Sequence, residues 1–149
     1  MKDENENKKD ATQILKEVGE MLVAYELAMR GWTVSKNLGP GYDLHIRKID
    51  DRGEPIERFI EVKTRDKIHS TGVHKNTTHF DISQKEAESC DFAICHLYGE
   101  TAFFILSKED IASLNETGRG KRRFTVKKLK GGRFSPNFLE HYNRWDKIK

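Results

Sequence analysis

The stretch that decides the reading is Gly41-Tyr42-Asp43-Leu44-His45-Ile46-Arg47-Lys48-Ile49, followed after a polar turn by Ile56-Glu57-Arg58-Phe59-Ile60-Glu61-Val62-Lys63-Thr64. Both halves alternate apolar and polar residues, the period-two signature of half-buried strands. Asp50-Asp51-Arg52-Gly53-Glu54 between them reads as a turn, so the pair forms a β-hairpin. If the turn centres on Arg52, residues whose numbers sum to 104 face each other. Leu44 then opposes Ile60 and Tyr42 opposes Val62, while Asp43 opposes Glu61 on the other face. A one-residue slip would set Asp43 against a core position, which the alternation forbids. A two-residue slip would pair Asp43 with Lys63 and still leave Glu61 adjacent.

Directly opposed side chains have Cβ atoms about 5 Å apart, a distance at which two carboxylates repel unless a cation lies between them. Lys63, two residues beyond Glu61, projects from the same face. Two carboxylates and a lysine so placed are what metal-assisted cleavage of a phosphodiester requires. The solvent-facing side of an ordinary antiparallel sheet carries the same residue types, so the spacing leaves both readings open. Asp43 follows a Pro-Gly loop at the strand's start, and aspartate is a poor strand former.

Upstream, the first nine residues form a polar tail expected to be disordered. Asp10 can cap a helix with Gln13 three residues on, and apolar residues follow at Ile14, Val18, Met21, Leu22, Tyr25, Ala28 and Met29. Gly31 suits the left-handed residue after a helix end, with Trp32 folding back on the last turn. Downstream, residues 65–78 read as a mobile polar loop containing His69 and His74, and Ser83 caps a short helix with Glu86. Strands are expected at 92–98 and 102–106, a helix capped by Ser107 to 114, and a strand at 124–129. A final helix after Pro136 would carry Phe138, Leu139, Tyr142 and Trp145. One domain over 10–149 is expected, with its core at about 10–114 and a basic extension over 115–149.

Charged residues make up 34% of the 149 and apolar residues 36%, which predicts a modest core under a highly charged surface. The net charge is only +3, yet Arg119, Lys121, Arg122, Arg123, Lys127, Lys128, Lys130 and Arg133 follow one another with no acidic residue among them. Such a block is either solvated surface or an electrostatic footprint for nucleic acid. Cys90 and Cys95 are too few for a disulfide framework, and Cys95 sits in an apolar run as a buried thiol would. The six histidines include no C-x-x-C partner, which argues against structural zinc. His69 and His74 could touch nucleic acid from their loop. No segment approaches the roughly 18 apolar residues of a membrane span, and the N-terminus lacks an apolar signal core. A soluble, cytoplasmic protein with no membrane partner is therefore expected.

The order Gly19-Glu20 in a helix, then Gly41-Tyr42-Asp43, then Ile60-Glu61-Val62-Lys63, then a helix opening Ser83-Gln84-Lys85-Glu86 resembles the PD-(D/E)XK nuclease superfamily. Within it the chain is similar to the Mrr-type and Holliday-junction-resolvase-like branch, over roughly residues 18–106. Tyr42 stands where the superfamily's name has proline. The resemblance implies an α/β fold with the restriction-endonuclease-like αβββαβ core, a central mixed sheet flanked by helices. It implies magnesium, with manganese as a substitute, held by Asp43, Glu61 and the Val62 carbonyl. Lys63 would orient water or neutralise developing charge, Glu20 would act at or behind the site, and Gln84 would steady a water or phosphate. It further implies endonucleolytic cleavage of DNA ahead of RNA, by a homodimer. The rival expectation is a binding module that keeps the fold without turnover.

Overall fold

The computed structural model describes residues 4–149, so the first three residues of the expected tail lie outside it. Helix α1 spans Glu4–Met29, so residues 4–9 prolong the helix and Asp10 lies inside it instead of capping it. Its C-terminus closes as expected. Gly31 takes φ 91°, its N–H donates to the Ala28 carbonyl (3.0 Å), and the Trp32 N–H donates to the Leu27 carbonyl (3.2 Å). These two hydrogen bonds satisfy carbonyls that a helix end otherwise leaves open, and they draw Trp32 over the buried Leu27.

The central sheet contains β1 (Thr33–Lys36), β2 (Leu44–Ile49), β3 (Pro55–Arg65), β5 (Phe92–Leu97) and β6 (Ala102–Ser107), in the order β1-β2-β3-β5-β6. Only the β3–β5 pair is parallel, which makes the sheet mixed. The hairpin adopts the predicted register, from Leu44 opposite Ile60 to Ile49 opposite Pro55. A second sheet, in the order β4-β8-β7, joins β4 (Thr77–Ile82), β8 (Arg122–Lys127) and β7 (Asn115–Glu116). Strand β4 has no counterpart among the expected strands. Its alternation of buried Thr78, Phe80 and Ile82 is masked in the sequence by the polar run before it. Short helices α2 (Gln84–Ser89) and α3 (Lys108–Ala112) both start with capping boxes, Ser83 with Glu86 and Ser107 with Asp110.

Two apolar clusters separate the layers. On one face of the central sheet, Val23 and Leu27 of α1 pack with Ile60, Val62, Ile94 and Phe103. On the other, Phe80, Ile82, Phe124 and Val126 of the small sheet pack against Ala93, Cys95, Phe104 and Leu106. The final helix is much shorter than expected: α4 covers only Pro136–Leu139. Asn143, at φ 53°, turns the chain out of helical geometry, and Trp145 then sits in a separate 3-10 turn, buried with Ile148 beside α1.

The face of α1 that meets the sheet also differs from expectation. The buried residues are Gly19, Glu20, Val23 and Leu27, whereas Ile14, Met21, Tyr25 and Met29 are 59%, 70%, 61% and 68% exposed. The cause is a close approach at Gly19. A Cβ there would lie 1.8 Å from the Thr64 Oγ1 of β3, so only glycine lets the helix sit at this depth. Contact with the sheet therefore chose between two apolar faces that sequence periodicity does not distinguish.

Candidate active site

Strand β2 stops at Leu44, while β3 runs on to Arg65. From Glu61 onward β3 therefore has β5 on one side and an open edge on the other. Asp43 closes the first part of that edge. It is not a strand residue, as the sequence suggested, but the last residue of the loop. Its N–H donates to the Ile60 carbonyl (2.9 Å), and its Oδ2 accepts from the Val62 N–H (2.8 Å). The side chain thus satisfies the donor that the missing ladder would have paired. Asn37 fixes the loop: its Nδ2 donates to the Tyr42 carbonyl (2.8 Å), and its N–H to the Asp43 carbonyl (2.8 Å). The carboxylate is thus positioned by hydrogen bonds at the end of the β2–β3 ladder.

Because side chains alternate along β3, Ile60, Val62 and Thr64 face α1, and Glu61, Lys63 and Arg65 face the other side. Glu61 is only 4% exposed, and its Oε2 is buried with no hydrogen-bond partner. Burial, together with the neighbouring Glu86 and Asp43 carboxylates, pushes its pKa up to about 9. Lys63 Nζ lies 3.7 Å from Glu61 Oε1 and hydrogen-bonds Glu86 Oε2. Against the effect of burial, contacts with Glu61, Lys63 and the Ser83 N–H hold Glu86 well below the usual carboxylate range. The two shifts run in opposite directions, so of the two carboxyl groups Glu86 is the one whose charged form is favoured beside Lys63.

These residues fit a divalent cation. A buried carboxylate with an orphaned oxygen beside a second carboxylate is destabilised until a cation arrives. Oxygen donors of this kind suit magnesium or manganese. Among the described residues no three His, Cys, Asp or Glu side chains converge on one point. Any ion here would rest on Asp43, Glu61, a backbone oxygen and water.

The other expected residues are placed differently. Glu20 is buried on the α1 side of the sheet, where it pairs with Lys36 (3.2 Å) and not with Asp43, Glu61 or Lys63. Gln84 is exposed and donates to Glu88 (2.8 Å), so the residue of α2 that reaches the site is Glu86. Sequence reasoning assigns Glu86 only to the capping box, which it also completes: its Oε1 accepts from the Ser83 N–H. The signal is its polar position on a helix following the hairpin, masked by a sufficient local explanation.

The basic block is not uniform. Arg122 bonds the Leu114 carbonyl and Glu116, Arg123 forms a two-point pair with Asp81, and Lys128 bonds Glu100. Arg119, Lys121, Lys127, Lys130 and Arg133 make no ion pair among the described residues. Cys90 and Cys95 are free, buried thiols, and burial pushes both pKa values up, Cys90 to about 12. His96 is stacked on Phe103 in the core.

Helix, hairpin, second helix and mixed sheet define an α/β fold that sets Asp43, Glu61 and Lys63 at the open edge of β3. The chain belongs to the family of the C-terminal domain of protein NO VEIN, whose model matches residues 14–100. That span contains Glu20, Asp43, Glu61, Lys63 and Glu86 and ends before the basic strand β8. The structure is similar to that of a bacterial homing endonuclease, I-Ssp6803I, with a TM-score of 0.69. The two share 19% identity over 92% of this chain and 90% of that one, a likeness of fold. No curated protein matches the chain. Among the described residues no helix is long and apolar enough to cross a membrane.

Proposed function

We propose that this protein is a metal-dependent DNA endonuclease of the PD-(D/E)XK type, in the Mrr-type and Holliday-junction-resolvase-like branch. The observation that carries the reading is the buried, unpartnered Oε2 of Glu61 beside Asp43 and Lys63 at an open strand edge. Asp43, Glu61 and the Val62 carbonyl would hold magnesium, with manganese as a substitute. When bound, such an ion supplies Lewis acidity and lowers the pKa of water at the scissile phosphate. Lys63 places its ammonium against the phosphoryl oxygens as charge develops, and Glu86 holds it ready until phosphate competes for it. Glu20, tied to Lys36, acts through the position of α1. The fold shared with an endonuclease and the cations around β8 that make no ion pair among the described residues support DNA as substrate.

A homodimer is part of this reading. Ile14, Val18, Met21 and Tyr25 recur at alternating spacings of four and three on the outer side of α1, and three of them are more than half exposed. A stripe with that spacing is self-complementary between helices, and a contiguous apolar strip on a helix already packed on its other side suits a second copy. The rival reading, a binding module without turnover, draws on the engagement of Lys63 by Glu86.

The deciding experiment is calorimetric titration of magnesium and of manganese into the wild type and the Asp43→Ala/Glu61→Ala double variant. Binding that disappears in the variant supports the reading. No binding to the wild type, even with a short DNA duplex present, overturns it in favour of the binding module.

A further inference from the structure

The small sheet turns one side to the core and the other to solvent. Thr78, Phe80, Ile82, Phe124 and Val126 point inward, so Thr77, His79, Asp81, Arg123, Thr125 and Lys127 share the outer face. His79 stands opposite Thr125, and its Nδ1 is 2.8 Å from the Thr125 Oγ1. The loop before β4 folds back over the same face: the His69 N–H donates to the Thr77 carbonyl (3.1 Å), and the Asn76 N–H to the His69 carbonyl (2.7 Å). The His74 ring thereby lies 5.3 Å from that of His79 and 6.2 Å from that of His69. Three imidazoles from two segments form one cluster, with His69 and His74 exposed and His79 half-buried.

This cluster is physically joined to the proposed catalytic residues. Arg65 faces the same side of β3 as Glu61 and Lys63, and its Nε donates to the His79 carbonyl (2.9 Å). Strand β4 runs from His79 to Ser83, about 13 Å of extended chain, and Ser83 caps the helix that carries Glu86. That length spans a few successive phosphates of one nucleic-acid strand, whose repeat along the duplex axis is about 3.4 Å.

The charged side chains set around the cluster are Arg65 of β3, Asp81 of β4, and Arg123 and Lys127 of β8. The only carboxylate among them, Asp81, is engaged by Arg123 through two bonds of 2.8 and 3.1 Å. What remains is a field of donors and cations, which repels a metal ion and attracts a polyanion.

We propose that the outer face of the β4–β8 sheet, centred on His69, His74 and His79, seats the phosphate backbone of the nucleic acid and holds it more tightly as the pH falls. It rests on the nuclease reading for the identity of the polyanion. Burial, then the Arg123 and His74 charges, holds His79 below the usual imidazole range while the face is empty. An arriving phosphate reverses that balance, because negative charge beside an imidazole favours its protonated form. Binding therefore takes up protons and strengthens from pH 8 to pH 6.

The test is fluorescence anisotropy with a labelled 20-base-pair duplex of arbitrary sequence in metal-free buffer with chelator, at pH 6 and pH 8 and over a range of salt. The wild type is expected to bind roughly tenfold more tightly at pH 6. In His69→Gln/His74→Gln/His79→Gln that gain disappears, and the salt slope at pH 6 falls by about 0.9 for each phosphate no longer neutralised. The exposed single variant His74→Gln should lose part of the gain with an unchanged thermal melt, which keeps the test valid if the triple variant folds poorly. Variants that match the wild type in affinity, pH response and salt slope overturn the proposal, as does a wild type that binds no duplex at pH 6. Duplex cleavage with magnesium by variants that bind unchanged would sink this proposal and leave the nuclease reading intact. Proton-linked binding with no magnesium affinity would do the reverse.

Discussion

The ammonium of Lys63 is held by Glu86, from a helix that follows the small sheet, and not by Glu61, two residues away on its own strand and 3.7 Å distant. One carboxylate thus orients the lysine, leaving the other to face Asp43. Glu86→Gln keeps an oxygen for the Ser83 N–H but replaces a charge-assisted bond with a neutral one. For a pair about one-quarter exposed the expected loss is about 1–2 kcal/mol, read from urea denaturation. A loss near zero would mean that Lys63 is not held there in solution.

Asp43 has a structural and a chemical task that can be separated. In Asp43→Asn the amide oxygen can still accept from the Val62 N–H, so the melting temperature should stay within a few degrees of the wild type. Magnesium binding, followed by calorimetry, should vanish, and cleavage of plasmid DNA should fall at least about 100-fold. An active Asp43→Asn enzyme would remove this aspartate from the site.

Gly19→Ala tests the close approach of α1 to β3. Alanine favours a helix interior by about 1 kcal/mol over glycine. The new methyl, however, meets Thr64 Oγ1 at 1.8 Å and Thr64 Cβ at 2.8 Å, and overpacking of that kind costs about 1–3 kcal/mol. A net destabilisation is expected in urea titration, relieved in part by Thr64→Ala, which removes the nearest atom.

Asp110 gives a pH signature far from the site. Burial favours its neutral form, but the Ser107 N–H and the Lys147 ammonium (2.9 Å) outweigh burial and hold its carboxyl below the usual range. A carboxylate with a lowered folded pKa contributes stability that is present above its unfolded value, near 4. That contribution is lost as the pH falls through the folded value. Denaturant midpoints measured from pH 6 downward should therefore drop for the wild type, and less steeply for Asp110→Asn.

The outer stripe of α1 predicts oligomeric state. Met21→Lys/Tyr25→Lys places two charges on the apolar stripe at side chains that are themselves mostly exposed. Light scattering after gel filtration should show a dimer for the wild type and a folded monomer for the variant. Equal masses for the two proteins would exclude this face as the interface.

The sequence alone determined the hairpin and which face each side chain takes, because the alternation on either side of the turn forbids a one-residue slip, while the choice between registers two residues apart fell to the turn, which sets Leu44 opposite Ile60. The capping boxes at Ser83 and Ser107 and the glycine closure of α1 were legible for the same reason: each is set by side chain and backbone within a few residues. Tertiary structure decided the rest. The sheet selected the face carrying Gly19, Val23 and Leu27 over an equally periodic one, through a contact with Thr64 that lies far away in sequence. That choice buried Glu20 on the opposite side of the sheet from Glu61. Strand β4 formed because β8, more than forty residues later, supplied its hydrogen bonds. Its path then delivered Glu86, and not Gln84, to Lys63. Short-range patterns carry short-range structure; which helix face is buried and which carboxylate reaches the lysine depend on packing between distant segments.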